Sequence, residues 1–120
     1  MKRILLTAAL ALALSATGAA ALPHFACQKA GEVAHKAMAY RQAGCSFDQT
    51  WEALGPDIAE IRLQARFFGF SEAQLDFYER VAHDQLLPIV YNIKVLRTQK
   101  ARDRVATKAG ETAYARCRAQ

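Results

Sequence analysis

Three cysteines are the residues of this chain with the most sharply defined chemistry: Cys27, Cys45 and Cys117. Two thiols can be oxidised to a disulfide, and a thiol at the start of a helix is activated as a nucleophile. Cys45 directly precedes Ser46, a residue type that caps helices, so it is the candidate for a reactive thiol. The alternative is that Cys45 is a small buried apolar side chain. We favour burial, because the sequence fixes no histidine beside it.

Helical periodicity indicates which cysteines can form a disulfide. Residues 27–44 read as one helix that ends at Gly44. A helix of about eighteen residues places Cys27 and Cys45 roughly 27 Å apart at 1.5 Å per residue. A disulfide joins Cα atoms that are no more than about 7 Å apart. Cys27 and Cys45 therefore cannot pair while this helix is intact.

The last helical stretch, residues 98–117, gives Cys27 another partner. Both this stretch and the first helix carry a face of alanines, which favours close packing. Antiparallel packing places the start of the first helix beside the end of the last, and hence Cys27 beside Cys117. It also pairs Ala30 with Ala113, Ala34 with Ala109, and Ala37 with Ala106. The sequence thus predicts a disulfide between Cys27 and Cys117 and a free Cys45, with a bridge between Cys45 and Cys117 as the main alternative.

Candidate metal ligands and catalytic motifs are sparse. Glu32 and His35 form a single E-x-x-H, the spacing of helical di-iron sites, but that chemistry needs a second copy and two further glutamates. The nearest candidate, Glu79 with His83, is one residue too long. The sequence has no cysteine pair at zinc spacing, no serine-nucleophile elbow and no phosphate-binding glycine loop. We therefore predict no metal, no cofactor and no catalytic residues, and we lean toward a protein that is not an enzyme.

Net charge changes sign along the chain. Residues 22–93 hold 6 Lys and Arg against 9 Asp and Glu, net −3, and residues 94–120 hold 8 against 2, net +6. On a helical wheel, five cations fall within about a third of the circumference: Lys94, Arg97, Lys100, Arg104 and Lys108. We interpret them as a docking surface for an acidic partner; a solvated outer face is the alternative. Nucleic acid is disfavoured, because the stripe lacks interleaved aromatic residues.

A long central helix is expected to hold these elements together. Apolar residues recur at steps of three and four over residues 70–96, and Ser71 with Gln74 forms a capping box at its start. Pro88 interrupts the pattern, and we expect a kink there rather than a division into two helices. Two shorter helices are predicted before it, residues 47–54 and 56–68.

The boundaries of the two shorter helices come from local signals. Ser46 and Gln49 form a second capping box, Gly55 and Pro56 end the first of the two helices, and Gly69 ends the second. The core is expected to contain Trp51, Phe68, Leu86, Ile89 and Ile93. Together these elements predict an all-α fold, a small disulfide-stapled bundle of about four to five helices with the first and last antiparallel.

Residues 1–21 have the pattern of a secretory signal peptide. Lys2 and Arg3 precede an apolar run, and Ala19 and Ala21 make an A-x-A cleavage site. The apolar run of about eleven residues is shorter than the roughly twenty that span a bilayer. We expect cleavage before Leu22, which leaves residues 22–120 as a single helical domain without a transmembrane segment.

These observations lead to two functional hypotheses. The first is an exported, non-catalytic helical protein of the bacterial periplasm or cell envelope, which binds an acidic protein or an anionic lipid or polymer of the envelope through its basic C-terminal helix. The alternative is a thiol-dependent protein, redox or nucleophilic, that uses Cys45.

Overall fold

Four helices make up the computed structural model, which describes residues 24–119. In chain order they are α1, His24–Gln42; α2, Phe47–Phe67; α3, which runs through Glu72–Val81, a π-helical turn at Ala82–Leu86, and Leu87–Tyr91; and α4, Gln99–Arg118. No strand occurs in this part of the chain. The prediction of an all-α bundle is therefore confirmed. The predicted signal peptide, residues 1–21, lies outside the described residues.

Local sequence signals set the helix ends. The capping boxes at Ser46 and Ser71 both form, with each hydroxyl accepting from the backbone N–H three residues on. Gly44 and Gly69 have φ values of 91° and 84°, a left-handed conformation that glycine adopts without steric cost. Each glycine is followed by a residue whose N–H donates back into the last helical turn, as in a Schellman motif. The turns between α1, α2 and α3 are therefore tight and well defined.

The helix α2 continues through Pro56, so the two short helices predicted before and after it are one. A proline inside a helix removes the bond to the carbonyl four residues earlier, which here belongs to Glu52. Glu52, Gly55 and Pro56 are all exposed, so the freed carbonyl lies on the solvent side, where water can satisfy it. The prediction of a helix end at Gly55 was wrong, because exposure reduces the cost of the proline.

Pro88 also lies within a helical run, and the structure handles it with the π-helical turn. The N–H of Leu87 donates to the carbonyl of Ala82, five residues earlier. This wider turn brings Pro88 to the start of a new α-helical segment, where a proline is tolerated. The helical run is not divided at Pro88. It ends at Tyr91, however, and not at residue 96 as predicted.

The first and last helices pack antiparallel in the most extensive helix–helix contact of the described residues. The Sγ atoms of Cys27 and Cys117 are 2.06 Å apart, and their Cα atoms 5.2 Å apart. The predicted disulfide-stapled arrangement of first and last helices is therefore confirmed. Ala34 and Ala113 are fully buried between the helices. Ala30, predicted to pack against Ala113, is only partly buried, and the neighbouring Gly31 lies against Gly110 and Tyr114 of α4.

The main core lies where α3 crosses the pair α1 and α4. It consists of buried residues from all four helices, namely Ala37, Met38, Leu54, Leu86, Leu87, Val90, Ala106 and Ala109. Leu86 is buried as predicted, and Trp51, Ile89 and Ile93 are partly buried against this core. Phe68 was predicted to be in the core but is 54% exposed, because α2 ends before it and its ring stacks on Phe25 at the surface.

Candidate anion-binding face

Three of the five predicted basic residues share one exposed face of α4. Lys100, Arg104 and Lys108 follow one another at intervals of four, so they form a row on a helix. All three are exposed. The opposite side of α4 carries the buried residues Ala106, Ala109, Gly110, Ala113 and Cys117. The bundle therefore turns this row of cations toward solvent.

Lys94 and Arg97 do not lie on a helix, which corrects the predicted single stripe. They belong to the irregular connection 92–98 between α3 and α4. Both side chains are exposed, and the connection leads directly into the row on α4 at its N-terminal end. We call Lys94, Arg97, Lys100, Arg104 and Lys108 together the basic face, which consists of a connection and a helix.

Side chains from distant parts of the sequence hold the connection in its irregular conformation. The amide of Gln42, a residue that is 2% exposed, donates to the carbonyl of Lys94 at 3.0 Å and accepts from the N–H of Leu96 at 2.8 Å. Because these bonds satisfy backbone groups that a helix would otherwise satisfy, the chain can leave the helical conformation at low cost. This is the physical reason why the central helix ends early.

Two arginines complete the attachment of the connection. Arg41 donates from Nε to the carbonyl of Ile93 at 3.0 Å, and its guanidinium lies over the ring of Tyr91, 4.9 Å from the centroid. Arg102 donates from Nε to the carbonyl of Leu96 at 2.6 Å. The sequence analysis missed both residues: Arg41 binds a carbonyl 52 residues away, and Arg102 binds one only six residues away, but neither bond follows a periodic pattern.

The cations of the basic face differ from four cations of α1 and α2, which form ion pairs. Within residues 24–119, no side chain of the basic face forms an ion pair. By contrast, Lys29 pairs with Glu32 at 3.1 Å and Lys36 pairs with Asp57 at 2.5 Å. The hydrogen bond to Asp57 raises the pKa of Lys36 above its ordinary value.

The strongest compensation of positive charge occurs between α2 and α3. Arg62 lies 2.9 Å from a carboxylate oxygen of Glu72, 2.8 Å from Asp76 and 3.5 Å from Glu79. Arg66 binds Glu72 at 2.6 Å, and that hydrogen bond holds the pKa of Glu72 below its ordinary value. The cations of this region are thus neutralised within the fold, whereas those of the basic face are available to an external anion.

Cys45 lies in the turn between α1 and α2, bridged to neither of the other cysteines and half-buried. Its carbonyl accepts from the hydroxyl of Tyr91 at 2.6 Å, and the same hydroxyl lies 2.5 Å from Oγ1 of the buried Thr50. These bonds fix the backbone of the turn against α3. The interpretation of Cys45 as a free thiol stays a prediction, and a reactive Cys45 stays the alternative hypothesis.

The histidines considered as metal ligands belong to no cluster of three or more ligand side chains among residues 24–119. His83 packs edge-on against Trp51 and Phe47 and accepts or donates a hydrogen bond to Asp84 at 2.7 Å. The described part of the chain contains no group of three or more His, Cys, Asp or Glu side chains placed to hold a metal ion. Between residues 24 and 119, no helix combines the length and the apolar character needed to cross a bilayer.

Comparison with other proteins adds no relative. No protein family matches the sequence, and neither a curated protein nor a solved structure is similar to this chain. A functional proposal therefore rests on the geometry and charge of the described residues.

Proposed function

We propose that this chain is an exported, non-catalytic helical protein of the bacterial periplasm or cell envelope, and that its basic face binds an acidic protein or an anionic envelope surface. One observation carries the proposal. Five exposed cations lie together in the basic face without an ion pair among the described residues, although the cations of α1 and α2 are mostly paired. Unpaired like charges held side by side repel one another, and a bound anion relieves that repulsion.

The rigidity of the basic face supports specific rather than diffuse binding. The helix α4 is joined covalently to α1 by the disulfide, and Gln42 and Arg102 fix the connection that carries Lys94 and Arg97. A preorganised surface loses less conformational entropy when it binds. The backbone positions that carry the cations are therefore fixed relative to one another, while the long side chains can adjust to a partner.

Magnitudes indicate a moderate affinity that depends strongly on salt. A basic residue near an anionic lipid surface contributes about 1 kcal/mol, so five contribute roughly 5 kcal/mol before entropic costs. Exposed charges are screened over about 8 Å at physiological ionic strength. Binding should therefore be measurable at low salt and weaken steeply as salt is added.

The compartment is supported by two features of the chain. The pattern of residues 1–21 is that of a cleaved signal peptide, and a buried disulfide that joins the first and last helices is typical of proteins that fold in oxidising compartments. The bacterial periplasm and envelope offer both an oxidising environment and anionic surfaces.

A pair of charge-reversal variants tests the basic face. The variant Arg104→Glu changes the face, and the control Arg80→Glu makes the same change in net charge at an exposed position on α3. Each protein is sedimented with anionic and with neutral vesicles, and is used in a pull-down from an envelope extract, at low and at high salt. We expect wild type and control to bind and the face variant to lose at least tenfold in affinity.

The two arms separate the sources of negative charge. If the wild type binds anionic vesicles and the face variant does not, the partner is a lipid surface. If the wild type captures an acidic protein from the extract and the face variant does not, the partner is a protein. If the face variant and the control behave alike in both arms, the basic face is a solvated surface and the proposal is wrong.

A further inference from the structure

An apolar cleft opens between α1, α2 and α3, on the side of the bundle away from α4. It encloses about 160 Å³. Its walls are formed by apolar side chains from all three helices, among them Val33, Ile58, Ile61, Leu75 and Leu86. None of the basic face residues lines it, so the cleft and the basic face are separate features.

Small side chains on three helices create this space. Ala30 of α1, Ala65 of α2 and Ala82 of α3 all line the cleft. The alanines between α1 and α4 let two helices come close together, whereas these three leave a gap. Because the cleft opens to solvent, its empty walls expose apolar surface to water, and an apolar molecule that binds there removes that surface from water.

The π-helical turn forms part of the same wall. Ala82 and Leu86, the first and last residues of the turn, both line the cleft. A π-helical turn widens the helix locally and occurs frequently at functional sites. The turn itself is accounted for by Pro88, and its consequence here is that it places Ala82 and Leu86 in the wall of the cleft.

The charged groups at the cleft are already compensated. Lys29 and Arg62 are the cations of the lining and Glu79 is its anion. Arg62 pairs with Glu79 at 3.5 Å, and Lys29 pairs with Glu32 at 3.1 Å. A charged ligand that enters would lose water and find no unpaired counter-ion. The cleft therefore selects against ions and favours an uncharged apolar occupant.

We propose that this cleft binds a small uncharged apolar molecule, about the size of a substituted benzene ring. The volume sets the size, because an apolar cavity of about 150 Å³ accommodates benzene. Binding is driven by removal of apolar surface from water and by contacts that the alanine-lined walls do not make among themselves. The ligand displaces no ion pair of the rim.

Ligands of one shape and different charge test this proposal. Thermal unfolding of the purified protein is followed with toluene, benzoate and benzylamine, and methyl NMR spectra are recorded with toluene. We expect a concentration-dependent rise in Tm with toluene and little change with the two ions. The methyl resonances of Ala30, Ala65 and Ala82 should shift as toluene is added.

Filling the cleft from either side should abolish the effect. Ala30→Leu and Ala82→Leu place larger side chains on opposite walls at partly exposed positions, and Ala73→Leu makes the same change at an exposed position of α3 outside the cleft. We expect toluene to raise the Tm of the wild type and of Ala73→Leu, and to leave both cleft variants unchanged.

Several results would overturn the proposal. The proposal is wrong if toluene changes neither the Tm nor the methyl resonances of the wild type. An equal rise with benzoate or benzylamine would contradict the selection by charge. A rise of wild-type size in both cleft variants would show that toluene binds elsewhere. The NMR readout on the wild type decides the question even if a cleft variant fails to fold.

Discussion

Gly31 and Gly110 determine how closely α1 and α4 approach one another. A Cβ atom built on Gly31 would lie 3.0 Å from the carbonyl oxygen of Gly110 and 3.2 Å from Cβ of Tyr114. A Cβ atom on Gly110 would lie 3.0 Å from the carbonyl oxygen of Gly31. Each glycine thus makes room for the backbone of the other helix. Glycine is unfavourable inside a helix by about 1 kcal/mol relative to alanine, and here close packing offsets that cost.

Replacement of Gly31 by alanine should therefore destabilise the protein. The new methyl group meets a backbone oxygen, which cannot move without displacing α4, so Gly31→Ala should cost roughly 1 to 3 kcal/mol in the free energy of unfolding. Gly55→Ala is the matched control, because Gly55 also lies inside a helix but has open space around it. Because Pro56 follows and its Cδ crowds a Cβ on the preceding helical residue, the gain in helix propensity is offset there, and the unfolding free energy should change by less than about 0.5 kcal/mol.

Urea denaturation of the two variants measures the difference. A clear loss of unfolding free energy for Gly31→Ala and little change for Gly55→Ala are the expected result. If both alanines stabilised the protein, helix propensity alone would decide the outcome, and the close contact between α1 and α4 would not exist in solution.

At the scale of the elements, Gln42 connects α1 to the chain between α3 and α4. Its amide replaces two backbone hydrogen bonds of a helix, one at Lys94 and one at Leu96. The conformation of the connection, and with it the position of Lys94 and Arg97 in the basic face, depends on this side chain. A single side-chain amide on α1 thus determines the backbone conformation of a surface segment about fifty residues later in the chain.

Gln42→Ala should loosen the connection more than it harms the helices. Two buried hydrogen bonds are lost, and we expect a cost of roughly 1 to 3 kcal/mol. Hydrogen exchange of the Leu96 amide should accelerate more than that of amides in the middle of α1. Gln28→Ala is the control, since Gln28 is an exposed residue of the same helix. Equal protection of Leu96 in both variants would show that Gln42 does not hold the connection.

The sequence predicts those features that depend on neighbouring residues. Both capping boxes, the two glycine-ended helices and the alanine faces are local patterns, and the structure contains them. The antiparallel packing followed from the helix faces and the cysteine positions. Lys100, Arg104 and Lys108 form a row as their spacing predicted, because all three lie within one helix.

Features that depend on distant contacts could not be predicted in this way. The carbonyls of the connection are bound by Arg41, Gln42 and Arg102, and no periodicity reports such bonds, so Lys94 and Arg97 were wrongly placed on a helix. Pro56 was wrongly predicted to end a helix. Its exposure to solvent makes it tolerable inside α2, and that exposure is known only from the folded molecule.

At the scale of the whole molecule, the disulfide closes a loop with a sequence separation of 90 residues. In the chain-entropy description, closing a loop of this length restricts the unfolded state by roughly 4 to 5 kcal/mol. Cys27 and Cys117 are 1% and 3% exposed, so the bridge is shielded from solvent. Much of the stability of a domain this small can depend on one covalent bond.

Removal of the bridge should lower stability far more than removal of the third cysteine. Cys27→Ala/Cys117→Ala should lower the Tm by more than 10 °C, because a change of 1 kcal/mol moves the Tm of a domain this size by roughly 4 to 8 °C. Cys45→Ala should change it little.

Thiol counting on the wild type completes this test. One thiol should react after unfolding without reductant, and three after reduction. A non-reducing peptide map that joined Cys45 to Cys117 would contradict the arrangement. Rapid labelling of Cys45 in the folded protein would favour the thiol-dependent alternative.

The position of the bridge also decides how the molecule responds to tension. When the two ends of the chain are pulled apart, the force is transmitted from Cys27 to Cys117 through the disulfide, whose Cα atoms are 5.2 Å apart. The covalent link carries the load, and the helices between the two cysteines carry none of it. As long as the bridge is oxidised, stretching this protein from its ends extends only the residues outside the bridge and leaves both the basic face and the apolar cleft undisturbed.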